Sequence, residues 1–206
     1  MNKIEPIIKY TIDTVFEDII DMDYNNKKFI TNSSNNIKIV NTTLNSCIFY
    51  KIDFDNIKFE NVDIWDCIFE ECDLSNKEFY NNSIHRCIFK NCKLDGANMN
   101  NCSIKDVLVD NSLCRYINIG ESKISNVNIV DSNFEEIRLV KNELKKIYLD
   151  KCNFSKGDIN YTSLKDVDLS TSKIDNIYID FNSIKGVNVN YNQAVILALL
   201  LGVKIV

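Results

Sequence analysis

Glycine and proline are scarce in this sequence, with five glycines and one proline among 206 residues. Linkers between domains are normally rich in these two residues, so their scarcity predicts a single uninterrupted domain. No apolar run is long enough to cross a bilayer, and the first ten residues lack the apolar core of a signal peptide. We therefore expect a cytoplasmic protein that does not contact a membrane.

Side chains that carry catalytic or metal-binding chemistry are also few. The sequence has one histidine, His85, and it has no Cys-x-x-Cys pair and no glycine-rich phosphate loop. No nucleophile is paired with a recognisable base. The net charge of −5 disfavours nonspecific binding to nucleic acid. These features predict a protein that is not an enzyme and has no cofactor, no metal site and no direct contact with nucleic acid.

The sequence does contain a repeat of five residues. From Ile39 to Val189, all 31 positions at this spacing are apolar. A helix has a period of 3.6 residues and a strand a period of 2, so neither has this spacing. The tripeptide Cys-Ile-Phe recurs at 47, 67 and 87, which groups the units in fours. An all-β solenoid with a bend every five residues and one coil every twenty accounts for both spacings.

A second set of inward positions lies two residues before the first. Of its 30 members, all but four are Ala, Gly, Cys, Ser, Thr, Val or Ile. The exceptions are Lys77, Asn82, Asn142 and Asn182. The three asparagines share one column at spacing twenty, which predicts a polar ladder inside the coil. For Lys77 we expect a local bend that lets the ammonium group reach solvent, because a buried unpaired charge is too costly.

The eight cysteines all fall on inward positions. Cys114 takes the large position, and the other seven take the small one. Those seven are Cys47, Cys67, Cys72, Cys87, Cys92, Cys102 and Cys152. Free cysteine behaves as a small buried hydrophobe. We therefore expect eight free thiols in the core, rather than disulfides or metal ligands.

The register divides the chain into a lead-in over 1–38, a β-helix over 39–189 and a closing segment over 190–206. In the lead-in, residues 12–20 have apolar side chains at helical spacing, whereas Phe29 fits the five-residue register. Because the segment adjoins a β-solenoid, we favour a lead-in strand and cap over a helix. An outward-facing apolar ladder would either pack this segment or bind a partner. The ladder consists of Ile48, Ile68, Ile88 and Leu108.

The closing segment predicts a helix that is apolar on every side. Asn190 or Asn192 is the expected N-cap, Gly202 the stop, and residues 203–206 a short strand. One face can close the end of the coil, and the other then needs a second molecule. We therefore expect a two-fold, end-to-end homodimer. The expected dimer contacts are Tyr161, Phe181, Val195, Ile196, Leu199, Leu200 and Val203.

Repeats such as Cys72-Asp73-Leu74-Ser75-Asn76 resemble those of the pentapeptide-repeat proteins, which implies a right-handed quadrilateral β-helix. The closing motifs Gly186-Val187, Gln193-Ala194 and Leu201-Gly202-Val203 are similar to the C-terminal signature of the quinolone-resistance (Qnr) class. That resemblance implies binding to DNA gyrase and topoisomerase IV as a DNA mimic, protection of both from fluoroquinolones, and dimerisation through the C-terminal helix. The unbroken register predicts coils without loops, which resembles the Gram-positive members.

An acidic band spans residues 51–75. It holds eight acidic and two basic residues, a net charge of −6. This stretch climbs roughly 6 Å along the axis, over which duplex DNA carries about 3–4 charges, so the band matches the charge density of DNA. We predict that it is the topoisomerase-binding surface. Its acids are Asp53, Asp55, Glu60, Asp63, Asp66, Glu70, Glu71 and Asp73.

Other functions are left open by the sequence. A β-helix can be an interaction scaffold for a different partner, because a fold does not determine a function. A rod that binds gyrase can also be an immunity protein against a gyrase-targeting toxin. The acidic band can equally be a solvated face without a partner.

Overall fold

We analysed a computed structural model, which describes residues 3–17, 19–32, 38–55 and 57–205, with the side chains of residues 31, 32, 58 and 60 left out. Strands and turns dominate, and one helix lies near the C-terminus. The strands are β1 Ile12–Phe16, β2 Ile19–Ile20, β3 Tyr24–Asn25, β4 Lys27–Asn32, β5 Lys38–Asn45, β6 Ile48–Tyr50, β7 Lys58–Trp65, β8 Ile68–Glu70, β9 Ser83–Lys90, β10 Ser103–Asp110, β11 Asn118–Gly120, β12 Lys123–Val130, β13 Arg138–Val140 and β14 Glu143–Asp150. The helix is α1, Tyr191–Leu200.

The strands pair in parallel with residues twenty positions further along the chain. Ile84 pairs with Ile104, Ile104 with Ile124, and Ile124 with Leu144. Past Asp150 the coil continues through single bridges, of which the last joins Asp168 to Asn188. This confirms the parallel β-solenoid with one coil every twenty residues.

A left-handed backbone conformation marks the corner of most pentapeptides. Among the described residues, twenty-seven other than glycine have φ between 46° and 63°, and they recur at intervals of five or a multiple of five, for example at Asn76, Asn81, Arg86 and Asn91. Fifteen of these residues are Asn or Asp, the side chains that tolerate this region best after glycine. The bend expected every five residues is therefore a left-handed corner, and it accounts for the asparagine-rich outward positions.

The lead-in is a strand structure. β1 pairs with β4 at an offset of fifteen residues, while β2, β3 and β4 pair with β5 and β6 at the regular offset of twenty. Phe16, Ile19 and Phe29 are fully buried in the core. The helical alternative for this segment is wrong, because the apolar side chains at 16, 19 and 29 all point into the coil.

Every one of the 31 five-residue positions lies in the core or packs against it. In the first half the core is built from phenylalanine: Phe29, Phe49, Phe69 and Phe89 form a column whose ring centroids are 4.9, 4.7 and 4.9 Å apart.

All eight cysteines are buried and free, as expected. Burial raises the pKa of the Cys67 and Cys114 thiols, which disfavours the reactive thiolate.

Hydroxyl and amide groups at the small inward position replace backbone carbonyls as hydrogen-bond acceptors. Cys102 N–H donates to Ser122 Oγ at 2.9 Å, Ser122 N–H to Asn142 Oδ1 at 2.9 Å, and Asn142 N–H to Thr162 Oγ1 at 3.0 Å. This confirms the polar ladder over most of its length. Its last member is different: Asn182 is exposed, and Ser183 Oγ accepts the Thr162 N–H at 3.1 Å.

The closing helix begins and ends close to the expected residues. Asn190 is the N-cap in a reciprocal pair: Gln193 N–H donates to Asn190 Oδ1 at 3.0 Å, and Asn190 N–H donates to Gln193 Oε1 at 2.9 Å. Leu201 is the C-cap, and Gly202 follows with φ of 81°, the conformation that glycine adopts most readily after a helix. The strand expected over 203–206 is wrong for residues 203–205, which are irregular, and residue 206 lies outside the described part.

The amide of Asn82 offers a test of the polar ladder. Its Oδ1 accepts the Val62 N–H at 3.3 Å, but its buried Nδ2 has no partner. At Asn142 both groups of the side-chain amide are bonded: its Oδ1 accepts the Ser122 N–H, and its Nδ2 donates to Ile119 O at 2.8 Å. Asn82→Thr should raise the free energy of unfolding by about 1 kcal/mol, because the hydroxyl keeps the acceptor and replaces the unsatisfied amide donor by an O–H that can donate to the carbonyl 23 residues earlier, as Thr162 donates to Leu139 O.

Asn142→Thr is the matched control. Both the acceptor and the donor of the Asn142 amide are already hydrogen-bonded, so replacing them by a hydroxyl removes no unsatisfied group. Urea titration followed by circular dichroism measures both variants. An Asn82→Thr variant no more stable than Asn142→Thr would contradict the role given to the unpaired amide.

Candidate interaction site

The acidic band lies on two consecutive coils of the N-terminal half. Asp53, Asp55 and Glu71 are exposed, Asp63, Glu70 and Asp73 are half-buried, and Asp66 is buried. The side chain of Glu60 lies outside the described residues. The coil thus brings most of the predicted acids to the surface, with Asp66 as the exception.

Ion pairs across neighbouring coils neutralise half of the band. Asp66 binds Arg86 through two short bonds of 2.6 and 2.7 Å. The other pairs, at 3.4 to 3.5 Å between nitrogen and oxygen, are Glu70 with Lys90, Glu71 with Lys51, and Asp73 with Lys93. Three of the four bases stand twenty positions after their acid. That spacing was the signal in the sequence that could have identified them, since a coil places residues twenty apart side by side.

This pairing lowers the charge density estimated for the band. Residues 76–95 hold four basic and two acidic residues, so residues 51–95 together carry −4. They climb roughly 11 Å, over which duplex DNA carries about 6 charges. Over residues 51–95 the surface remains negative but is less charged than DNA, so the match calculated for residues 51–75 does not extend to the neighbouring coil. Asp55 and Asp63 make no ion pair within the described part of the chain.

Lys77 stays inside the coil beneath this band. The residue is 8% exposed, and its ammonium group donates to the backbone carbonyl oxygens of Asp55 and Ile57. Burial lowers the pKa of Lys77, while the nearby carboxylate of Asp55 acts in the opposite direction. The expected escape to solvent is therefore wrong, because carbonyl oxygens of the previous coil satisfy the charge from within.

The N-terminal segment covers part of the same face. Ile7 N–H donates to Asp66 Oδ1 at 2.9 Å, Ser46 Oγ donates to Ile7 O at 3.0 Å, and Ile4 is buried. Burial raises the pKa of Asp66, but the bonds from Arg86 and Ile7 outweigh it and hold the pKa below its usual value. Ser46 and Asp66 are two residues from Ile48 and Ile68. These bonds involve Ser46 and Asp66 rather than the apolar ladder itself, so the choice between packing and partner binding for that ladder stays a prediction.

Most of the predicted dimer contacts are exposed apolar side chains at the C-terminal end. Tyr161 is 72% exposed and Phe181 59% exposed, while Leu199, Leu200 and Val203 are each about half exposed. Val195 is half-buried, and Ile196 packs against the core. Gln193 Nε2 donates to Leu169 O and Ser172 O, each at 2.7 Å, and Leu197 is buried. One face of the helix thus closes the coil, as expected, and the opposite face is open.

Asp180 holds its own turn, which includes Asn182 and Ser183, and links that turn to Tyr161 on the previous coil. It accepts hydrogen bonds from Ser183 Oγ at 2.6 Å, from Tyr161 N–H at 2.7 Å and from Asn182 N–H at 2.8 Å. These bonds, the one from Ser183 Oγ first, lower its pKa to about 2. Sequence reasoning missed this residue. The turn it holds is what directs Ser183 inward in place of Asn182.

Two family models match the repeats. The model described as "Pentapeptide repeats (8 copies)" matches residues 39–76, and the model described as "Pentapeptide repeat region" matches residues 62–139. The five-residue corners and the offset of twenty extend on both sides of this range. Residues 39–139 are therefore a pentapeptide-repeat region.

Solved pentapeptide-repeat structures cover most of this chain at low identity. Full-length QnrB1, a plasmid-mediated fluoroquinolone resistance protein, is 16% identical, with 93% of this chain and 100% of QnrB1 covered and a TM-score of 0.38. A trypsin-treated QnrB1 variant gives 19% identity, 94% and 100% coverage, and a TM-score of 0.43. HetL, involved in heterocyst differentiation regulation in the cyanobacterium Nostoc, is 10% identical, covers 87% and 88%, and has a TM-score of 0.38. Among curated proteins, none matches the sequence.

Among the described residues, no three His, Cys, Asp or Glu side chains lie close enough together to hold a metal ion. His85 Nε2 lies 2.9 Å from Asp106 Oδ2 on the outer surface. Across the described ranges, no helix has the length and hydrophobicity needed to cross a bilayer.

The turn held by Asp180 gives a pH-dependent prediction. Asp180→Asn should lower the free energy of unfolding at neutral pH by about 1 kcal/mol, because an amide accepts these bonds less strongly than a carboxylate. A lowered folded-state pKa adds stability above the usual value of 3.8, and this stability is lost as the pH falls through about 2. The difference from wild type should therefore shrink between pH 4 and pH 2.

Urea titrations at several pH values measure this difference. Asp168→Asn is a control at an exposed turn, where the carboxylate accepts the Ser170 N–H at 2.8 Å and, among the described residues, accepts no hydrogen bond from another coil. A stability difference for Asp180→Asn that stays constant down to pH 2 would contradict the assignment.

Proposed function

We propose that this pentapeptide-repeat rod binds a type II topoisomerase, DNA gyrase or topoisomerase IV, and protects it from fluoroquinolones. The observation that carries the proposal is that the residues of the Qnr-like closing motif form the cap and the end of helix α1. Gln193 of the Gln193-Ala194 pair caps helix α1 and ties it to the last coil through Leu169 O and Ser172 O. Gly202 takes the left-handed conformation that ends the helix.

The acidic face supplies the physical basis for binding. Residues 51–95 carry −4, and their surface is presented by a rigid parallel coil. A cationic surface that normally holds duplex DNA would attract this face and release its counterions on contact. Because four acids of the band are already paired with bases, we expect a weaker dependence on salt than the sequence count of −6 implies. The interaction is therefore partial mimicry of DNA charge, strongest at Asp55 and Asp63, which make no ion pair within the described residues.

We also propose that two copies associate end to end through the open face of helix α1. Leu199, Leu200 and Val203 are about half exposed, and Tyr161 and Phe181 are exposed on the adjoining coils. Water contact with this much clustered apolar surface is unfavourable, and a two-fold axis would let each helix cover the other. The same helix then has two roles, closing its own coil with Gln193 and Leu197 and contacting the partner with the leucines that remain exposed, Leu199 and Leu200.

The topoisomerase proposal predicts rescue of gyrase activity. In a supercoiling assay inhibited by ciprofloxacin, added protein should restore supercoiling. Asp55→Lys with Asp63→Lys should slow association with the enzyme roughly tenfold at low salt, since charge complementarity acts mainly on the encounter rate. Surface plasmon resonance at several salt concentrations measures this rate.

Glu121→Lys with Glu143→Lys is the matched control, because it changes the net charge equally but lies outside the acidic band, on exposed positions. Equal slowing by both variants would remove the specific role of the band. Binding of gyrase without rescue from ciprofloxacin would favour the immunity function, and no binding at low salt would overturn the topoisomerase proposal in favour of another partner.

The dimer proposal predicts a change of mass in solution. Leu199→Lys with Leu200→Lys should shift the protein from dimer to monomer, because two ammonium groups would be desolvated in the interface. Analytical ultracentrifugation measures the mass. The control is Ile12→Lys with Val15→Lys, which adds the same charge to exposed apolar side chains at the other end; a dimer that survives the helix variant would place the interface elsewhere.

A further inference from the structure

The composition of the core changes along the rod. The column formed by Phe29, Phe49, Phe69 and Phe89 continues into the second half as Val109, Ile129 and Leu149. These side chains are smaller than phenylalanine, yet the coil keeps twenty residues per turn and the same strand register. Because the backbone frame is constant, smaller side chains leave the second half of the lumen incompletely filled.

The structure contains a cavity where this occurs. Its volume is about 100 Å³, and it extends inside the coil between Ile84 and Leu169. Val109, Ile129 and Leu149 are part of its wall, and every lining side chain is apolar. The wall therefore presents no hydrogen-bonding side chain to the interior.

An apolar cavity of this kind is poorly suited to water. A buried water molecule needs two to four polar partners, and dry apolar cavities of roughly 150 Å³ accept xenon or benzene. The atoms that line an empty space also lack dispersion contacts on that side. A molecule without hydrogen-bonding groups restores those contacts and displaces no ordered water.

We propose that this cavity is a binding site for a small, uncharged, apolar molecule, of the size of xenon or a short hydrocarbon. The site is independent of the acidic band and of the exposed face of helix α1. Its specificity rests on size and on the absence of polar groups, so alcohols and amines of equal length bind more weakly because the wall cannot satisfy their donors and acceptors.

Xenon binding to the full chain tests the site. In methyl-labelled protein under xenon pressure, the methyl signals of Val109, Ile129 and Leu149 should shift and saturate together. Val109→Phe, which extends the phenylalanine column into the cavity, should weaken xenon binding by at least about tenfold. Val15→Phe, which adds the same volume at an exposed position, should leave binding unchanged.

Two further variants keep the test decisive if Val109→Phe disturbs folding. Val109→Leu fills less space and should weaken binding by a smaller factor, whereas Ile129→Ala enlarges the cavity and should admit benzene, detected by the same methyl signals. Methyl shifts that fail to saturate, or that occur only outside residues 84–169, would overturn the proposal. Xenon affinity equal in wild type and Val109→Phe would do so as well.

Discussion

The backbone ladder between neighbouring coils is the constraint on which the rest of this structure depends. Each coil donates and accepts hydrogen bonds with the coils on either side, as when Asp73 N–H donates to Ile52 O and Phe54 N–H donates to Asp73 O. From β2 onward the strands of neighbouring coils keep an offset of twenty residues, and the β1–β4 pair has an offset of fifteen, which is also a multiple of five. One extra residue in a coil would turn its inward side chains outward. A left-handed corner every five residues keeps this spacing, and Asn and Asp accept that conformation at the lowest cost.

Along the polar ladder, side chains accept the backbone N–H groups in place of backbone carbonyls. Ser122, Asn142 and Thr162 accept backbone N–H groups at the small inward position, and Ser183 does so for the last coil through the turn that Asp180 holds. The charge of Lys77 is satisfied in a similar way, because backbone carbonyl oxygens of the previous coil accept hydrogen bonds from its ammonium group. Each case follows from the rule that buried polar groups need partners, and each partner is twenty to twenty-three residues away in sequence.

The surface properties follow from the same offset. Acids and bases twenty residues apart become neighbours, so Glu70 meets Lys90 and Asp73 meets Lys93. The proposed topoisomerase surface is consequently a moderately negative face, and its steering effect depends on the unpaired carboxylates rather than on the full count. At the other end, Gln193 and Leu197 commit one side of helix α1 to closing the coil, while Leu199 and Leu200 remain about half exposed and are the leucines proposed for association.

The sequence by itself determined the solenoid, the inward positions, the buried thiols and the limits of the closing helix, because a period of five repeated 31 times leaves one way to bury its apolar side chains. Only the tertiary structure decided the roles of residues whose neighbours lie on other coils. Asp66 is buried under the N-terminal segment, Ser183 rather than Asn182 completes the polar ladder, and the lead-in forms strands despite its helical spacing. A periodic pattern specifies which way a side chain points, whereas its partner depends on the coils stacked against it, and those contacts exist only in the folded chain.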